Sequence, residues 1–282
     1  MLAIIDGDVL AYQACRPRHV KKAQQTGGVN FVRLDASGKQ LPLEFTPEED
    51  RQYLEESWDN FKRDLDSLLD TLFCTEFLMA VKGENNFRNA MYPEYKINRH
   101  PDLHRQNLFV PTLRSLAVAE DMAVQADGGE ADDLMRTWAV EAAAAGDPYI
   151  VCTIDKDLRC IPGKHFRMKK LNLMERYSAI PDVNLYEISE WEALRYFYRQ
   201  LLTGDGVDHV PGIPGVGPKT ADKLLEGCAS EEELRETVLF MYRHVYGDDW
   251  RGYLLSNGKM LYLQRHPGDY FSLDGWPDGG AA

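Results

Sequence analysis

Disulfide and zinc chemistry find little support in this chain. Its five cysteines, Cys15, Cys74, Cys152, Cys160 and Cys228, are odd in number, scattered, and include no C-x-x-C pair. That argues against a disulfide framework or a zinc site and for a reducing compartment. No apolar run approaches the roughly 18 residues of a membrane span, and the opening "MLAIIDGDVLA" is a short apolar run interrupted by Asp6 and Asp8, unlike a signal peptide. A cytoplasmic protein is expected. Internal repeats, low-complexity tracts and an obvious flexible linker are also missing. Positive charge is scarce: 32 Lys and Arg face 45 Asp and Glu, a formal net charge of −13. Taken alone, that balance argues against a nucleic-acid partner, since phosphate binding needs Lys and Arg.

What is present qualifies that reading. The 282 residues are 44% hydrophobic and 27% charged, ordinary for a globular chain with a sizeable core. The charge is unevenly spread. Residues 82 to 114 carry Lys82, Arg88, Lys96, Arg99, Arg105 and Arg114 against Glu84, Glu94 and Asp102. Residues 156 to 176 carry Lys156, Arg159, Lys164, Arg167, Lys169, Lys170 and Arg176 against Asp157 and Glu175. Global charge governs solubility and long-range steering, whereas local charge governs docking.

Periodicity predicts a short buried strand at "LAIID" and a helical start at "VLAYQA". A hairpin is expected from "VNFVRLD" and "QLPLEF", within an otherwise silent stretch from 16 to 46. Thr46 and Pro47 open a long helix in which Trp58, Phe61, Leu65, Leu68 and Leu72 recur at helical spacing. "EFLMAV", "DMAVQA" and "PYIVCTI" read as further strands, "EADDLMRTWAVEAAAA" and "SEWEALRYFYRQLL" as helices, and 164 to 177 as a strand or hairpin. Residues 83 to 107 are polar, broken and basic, more like an arch than core. Beyond Thr203 short helices with glycine turns are expected, and "LFMYRHVYG" and "KMLYLQRHPG" look like helices packing back on the core. Alternating strands and helices predict an α/β core with a mainly parallel sheet.

Four groups of acids stand out: Asp6; Glu130, Asp132 and Asp133; Asp155 and Asp157; Asp205 and Asp208. The first three follow expected strands, and in a parallel α/β sheet sites gather at the carboxyl ends of strands. Singly, each acid reads as readily as a helix cap or surface residue. Gathered on one rim they need cations, because two like charges about 4 Å apart repel by roughly 4 kcal/mol at an effective dielectric near 20. Oxygen ligands without His or Cys point to Mg²⁺, or Mn²⁺ in its place. Two such ions would suit in-line attack on a phosphodiester. Immediately after Asp205 and Asp208 comes "GIPGVGPKT", whose Gly212, Gly215 and Gly217 would let backbone N–H groups approach a phosphate, with Lys219 and Thr220 following. A tight turn with no ligand is the plainer alternative for that stretch.

In order along the chain, "IIDGDVLAYQ", "FRNAMYPEYKINRHP", "GGEADDLM", "CTIDKDLRCIPG" and "LTGDGVDHVPGIPGVGPKTADKLL" resemble the motifs of the 5′-nuclease superfamily, which includes flap endonucleases, the 5′-nuclease domains of DNA polymerase I, and phage 5′–3′ exonucleases. The phage enzymes look most similar. The resemblance implies a PIN-like α/β core over 1–200 with a helical arch near 83–107, then a C-terminal helical region over 201–282 containing a helix–hairpin–helix. It implies a first metal site at Asp6, Glu130 and Asp132 with Asp133 alongside, and a second at Asp155, Asp157, Asp205 and Asp208. Lys96 and Arg99 would act under the arch as catalytic residues beside Asp6 and Asp155. Tyr12, Arg88, Lys96, Arg99, Gly212, Gly215, Gly217, Lys219 and Thr220 would bind DNA, with a K⁺ ion in the hairpin. The implied activity is two-metal 5′–3′ exonuclease or flap endonuclease cleavage of double-stranded or branched DNA, or RNA–DNA hybrid, leaving 5′-phosphate and 3′-hydroxyl ends, in the company of other replication proteins. Two departures matter: Val81 stands where many members carry Asp, with Glu84 three residues on, and Gln13 stands where Arg commonly follows the aromatic. No general-base histidine is required, and His209, inside "GVDHVPG", reads as structural or a phosphate contact. The competing readings are a PIN-type RNA nuclease and a non-catalytic DNA-binding replication protein.

Overall fold

The computed structural model describes residues 1–16, 20–23, 29–34, 40–41, 45–97, 109–168 and 184–277. Nine strands and nine helices are found among these residues. In chain order they are β1 (Leu2–Asp6), α1 (Gly7–Ala14), β2 (Val20–Ala23), β3 (Val29–Leu34), β4 (Gln40–Leu41), α2 (Pro47–Leu72), β5 (Glu76–Val81), α3 (Phe87–Met91) and α4 (Val110–Ala119). Then follow β6 (Val124–Gln125), α5 (Ala131–Ala145), β7 (Tyr149–Thr153), β8 (Gly163–Arg167), β9 (Leu185–Ile188), α6 (Glu190–Thr203), α7 (Pro218–Leu224), α8 (Glu231–Tyr246) and α9 (Trp250–Leu261).

The main sheet runs β6-β5-β1-β7-β8-β9, parallel except for β9, which returns antiparallel along β8. Strand β1 lies between β5 and β7. Its alternate residues enter two apolar layers: Ala3 and Ile5 join Leu10, Phe61, Leu65 and Leu68 on one face, and Ile4 joins Met135, Ala139 and Leu158 on the other. A strand covered on both faces reads as an unbroken apolar run, as "LAIID" does. The chain builds from β1 out to β5 and β6, then crosses back to β7 on the opposite side of β1. That reversal opens a crevice at the carboxyl ends of β1 and β7, where α/β sheets hold their ligands.

Capping fixes the helix starts. Thr46 and Glu49 form a reciprocal capping box at α2 with Pro47 just inside, and Ser189 with Glu192 does the same at α6. The hairpin expected near residue 30 is formed by β3 and β4, with β2 added on the far side of β3. "DMAVQA" yields only the two-residue β6, because the N–H groups of Met122 and Ala123 both turn back to the Ala117 carbonyl (2.8 and 3.1 Å) and close α4. Of the expected strand or hairpin at 164 to 177, β8 covers the first part, and 169–183 lie outside the described residues. A separate apolar cluster joins α6 to α8 and α9 through Tyr198, Leu201, Leu202, Val238, Tyr242 and Leu254.

Candidate active site

Asp6 ends β1 in the crevice. Its Oδ1 accepts the Val9 N–H (3.1 Å) and caps α1, while Oδ2 accepts the Thr153 hydroxyl (2.8 Å) at the end of β7. The same hydroxyl oxygen accepts the Asp155 N–H (2.9 Å), so one threonine sets both strand-end aspartates. Burial, and then the charge of Asp8, push Asp6 up to about 7.

Glu130 and Asp132 arrive at the start of α5. Glu130 occupies the N-cap, and its carboxylate accepts from Asn86 Nδ2 (2.9 Å), the Tyr95 hydroxyl (3.0 Å) and the Lys96 ammonium. Burial drives the Asp132 carboxyl well above the usual range, and Asp155, Asp6 and Glu130 add to it against Lys96.

A second group follows β7. Asp155 Oδ1 accepts the Asp157 N–H (2.9 Å), and Gln200 on α6 donates to Asp157 Oδ1 (2.8 Å). Burial and then Asp155 raise Asp157 to about 6. Asp205 and Asp208 sit in the loop between α6 and α7, which paired N–H and C=O groups of Asp205 and Val210 close (2.8 Å each). Burial works against the charge of Asp205, but hydrogen bonds from Lys156 Nζ (2.6 Å) and the Val207 N–H (2.8 Å) hold it below the usual range. Asp208 meets the Tyr95 hydroxyl (3.3 Å) and Lys96 Nζ (3.5 Å). Lys96 adopts φ of +60° and donates its backbone N–H to the Asp208 carbonyl (3.0 Å), which ties the foot of the basic segment to this loop.

Asp6, Glu130, Asp132, Asp155, Asp157 and Asp208 line a cleft of about 420 Å³ together with Lys96. A much smaller cavity of about 20 Å³ adjoins it through Glu130, Asp132, Asp157 and Asp208 and adds Asp205. Four expected acid groups are thus brought to one place. Tyr12 stands at the rim, 37% exposed, with Gln13 beside it. Gly215, Gly217, Lys219 and Thr220 are exposed on the turn and the first residues of α7. Arg99 lies outside the described residues.

Three assignments change. Arg88, expected to contact DNA, is fully buried at 0% exposure and forks onto Asp133 (2.7 and 2.9 Å), so no phosphate reaches it. Asp133, expected beside the first metal site, does not line the cleft. Besides Arg88, its two oxygens accept the N–H groups of Glu130 (2.8 Å) and Gln264 (3.0 Å). Gly212, expected to approach a phosphate, is buried with φ of +61°, and a Cβ there would lie 2.2 Å from the nitrogen of Gly204. Its glycine character serves the chain's own crossing. Val81 is buried and Glu84 is exposed and off the cleft. Asp8 instead stands at the end of β5, accepting the Lys82 N–H (3.1 Å) and pairing with Arg114 (2.6 Å). The "DGD" spelling carried that signal. Thr153, Gln200, Tyr95, Asn86 and Lys156 are further residues to which sequence reasoning gave no site role, though each adjoins or lies within a quoted stretch.

Among the described residues, no three Asp, Glu, His or Cys side chains already converge as a metal cage. The donor set nonetheless suits hard divalent ions. It is all oxygen, burial and then neighbouring carboxylates raise Asp6, Asp132 and Asp157 above the usual carboxylate range, and two ammonium groups already stand among the acids as cations. Lys96 spans Glu130 and Asp208, and Lys156 spans Asp157 and Asp205.

Residues 56–187 match the family model of the 5′-3′ exonuclease N-terminal resolvase-like domain. DNA polymerase I of Rhizobium leguminosarum is 34% identical over 153 residues, 53% of this chain but 15% of that polymerase. Flap endonuclease Xni of Photorhabdus laumondii is 28% identical over 192 residues, covering 66% of this chain and 73% of that protein. The fold matches that of the bacteriophage T5 flap endonuclease, solved as a pseudo-enzyme-product complex with DNA and metal ions, with a TM-score of 0.52 at 13% identity over 92% of this chain and 98% of that one. Among the described residues no helix is long and apolar enough to cross a membrane.

Proposed function

We propose that the chain belongs to the 5′-nuclease superfamily, a reading supported by the match over residues 56–187 and the likeness to flap endonuclease Xni, and that it is a divalent-metal-dependent 5′–3′ exonuclease and flap endonuclease of double-stranded or branched DNA. The observation that carries this reading is the convergence of Asp6, Glu130, Asp132, Asp155, Asp157, Asp205 and Asp208 on two adjoining cavities. Asp6, Glu130 and Asp132 would hold one ion and Asp155, Asp157, Asp205 and Asp208 the other, with Mn²⁺ able to replace Mg²⁺. When bound, such ions supply a nucleophilic hydroxide near neutral pH and neutralise charge on the leaving 3′ oxygen.

The protein's own groups do the rest. Thr153 fixes the directions of Asp6 and Asp155, and Tyr95 fixes Glu130 against Asp208. Lys96, released from Glu130, turns its ammonium to the scissile phosphate, where charge builds in the transition state. Arg99, outside the described residues, would join it by the motif match. Tyr12 at the rim stacks a base near the cut, worth roughly 1–3 kcal/mol. The turn from Gly212 to Gly217 with α7 forms the hairpin and second helix of a helix–hairpin–helix. There the exposed Gly215 and Gly217 backbones, Lys219 and Thr220 hold duplex without reading sequence, and a K⁺ ion belongs in the same turn. Products carry 5′-phosphate and 3′-hydroxyl ends, RNA–DNA hybrid is a further substrate, and the setting is replication in the cytoplasm.

The test is cleavage of 5′-labelled blunt duplex, flap, hybrid and single-stranded RNA with Mg²⁺ or with EDTA. Mg²⁺-dependent release from DNA ends or flaps is expected, and binding without cleavage of any substrate would sink the enzyme reading. Preference for single-stranded RNA would mark a PIN-type RNA nuclease instead. Asp155→Ala is expected to abolish cleavage and leave duplex binding within about twofold.

A further inference from the structure

We infer that Arg88 and Asp133 are positioning residues for Glu130, and that through them the segment leaving α9 belongs to the frame of the active site; this rests on the nuclease reading of the cleft. Arg88 donates Nε to the Met260 carbonyl (3.0 Å) and Nη2 to the Tyr262 carbonyl (2.7 Å), while its fork closes on Asp133 (2.7 and 2.9 Å). Asp133 in turn accepts the N–H groups of Glu130 (2.8 Å) and Gln264 (3.0 Å). One buried ion pair therefore joins three pieces distant in sequence: the first turn of α3, the start of α5, and residues 260–264.

The pair touches no cleft, yet it sets a residue that lines both cavities. Asp133 holds the Glu130 backbone. Asn86, which caps α3 by accepting the Arg88 N–H (3.0 Å), holds the Glu130 side chain from Nδ2 (2.9 Å). Glu130 is thus fixed at its backbone through the ion pair, while its carboxylate is held by Asn86 and lies 3.9 Å from Arg88 Nη1. Stability alone does not explain the arrangement, because buried ion pairs are commonly replaced by apolar residues of similar volume without loss. What an apolar pair cannot reproduce is the set of directed bonds to the Glu130 and Gln264 N–H groups and to the Met260 and Tyr262 carbonyls. Partners of this kind orient ligands, and their loss typically weakens metal binding ten- to a hundredfold.

The experiment is Mn²⁺ binding followed by electron paramagnetic resonance, without DNA, on the full chain and on two variants. Arg88→Met with Asp133→Leu removes both charges at similar volume. It is expected to fold with a Tm near that of the wild type and to bind Mn²⁺ at least about tenfold more weakly. In cleavage assays kcat at low Mg²⁺ should fall and recover at high Mg²⁺, with KM for DNA within about twofold. Asp133→Asn keeps the shape and should lose affinity in the same direction by a smaller factor. A folded double variant with wild-type Mn²⁺ affinity overturns the inference. If the double variant does not fold, wild-type affinity in Asp133→Asn overturns it equally. A wild-type chain that binds no Mn²⁺ would overturn the nuclease reading itself, and the inference with it.

Discussion

Asp6 ends a buried strand, caps the next helix and faces the cleft, and its side chain is only 5% exposed. Burial first, and then Asp8, hold its carboxyl up near 7, and Asp157 is held near 6. The unfolded chain releases both protons near 3.8. Between roughly pH 4 and 7 the folded chain therefore binds protons that the unfolded chain has lost, so the contribution of these two groups to stability falls as pH rises through that window. A divalent ion competes for the deprotonated oxygens and acts in the opposite sense. In EDTA, Tm should fall from about pH 5 to 8 more steeply for the wild type than for Asp6→Asn. Mg²⁺ should then raise the wild-type Tm more at pH 8 than at pH 6. Thermal scans decide this, and an equal gain at both pH values would exclude these carboxylates as the groups that bind the ion. Strand ends, spacing and the family motifs made these acids legible in the sequence. Two of the assignments that changed, Arg88 and Asp133, depend on partners at Met260, Tyr262 and Gln264, more than 125 positions away, and no local pattern encodes such a pairing.

At the scale of elements, the loop between α6 and α7 has a physical reason for one of its glycines that the motif does not state. Gly204 and Gly212 cross backbone to backbone with φ of +64° and +61°, and the Asp205–Val210 pairing closes the loop inside that crossing. Tyr246 then caps the crossing by donating its hydroxyl to the Gly212 carbonyl (2.8 Å). Gly215 also has positive φ, at +79°, but open space around it. Alanine at 215 should therefore cost only the left-handed strain, about 1–2 kcal/mol. Alanine at 212 adds a backbone clash, so a loss exceeding that of Gly215→Ala is expected in urea unfolding, together with loss of cleavage as Asp205 and Asp208 shift. Equal losses at the two positions would show that the crossing is not what the glycine serves. Helices were legible for a different reason. Capping pairs such as Thr46 with Glu49 and Ser189 with Glu192 are local in sequence. The shortened β6 and the antiparallel β9 were not, since a carbonyl of α4 and a neighbouring edge strand decide them.

For the whole molecule, the net charge of −13 and a polyanionic partner are compatible only if repulsion is confined and attraction is local. Eight carboxylates, Asp8 included, line the two adjoining cavities, where the Lys96 and Lys156 ammonium groups offset part of their charge and bound divalent ions would offset more, and this leaves the start of α7 free to present Lys219 and Thr220 outward. Cleavage and holding would then answer to different ions. On the proposed function divalent cations would govern the first, while the second follows from counterions released as lysine meets phosphate. On that basis Lys219→Ala should weaken binding of a blunt duplex similarly for all sequences and lower the slope of log K against log salt by about 1. The slope is to be measured in EDTA from low to moderate salt, so that no turnover intervenes, with Asp155→Ala as the companion. Because Asp155 lies in the cleft and neutralises no phosphate, its variant should keep the wild-type slope while losing cleavage in Mg²⁺. A Lys219→Ala slope equal to wild type would remove the α7 turn from the DNA track and leave the duplex to be held by the arch and the cleft alone.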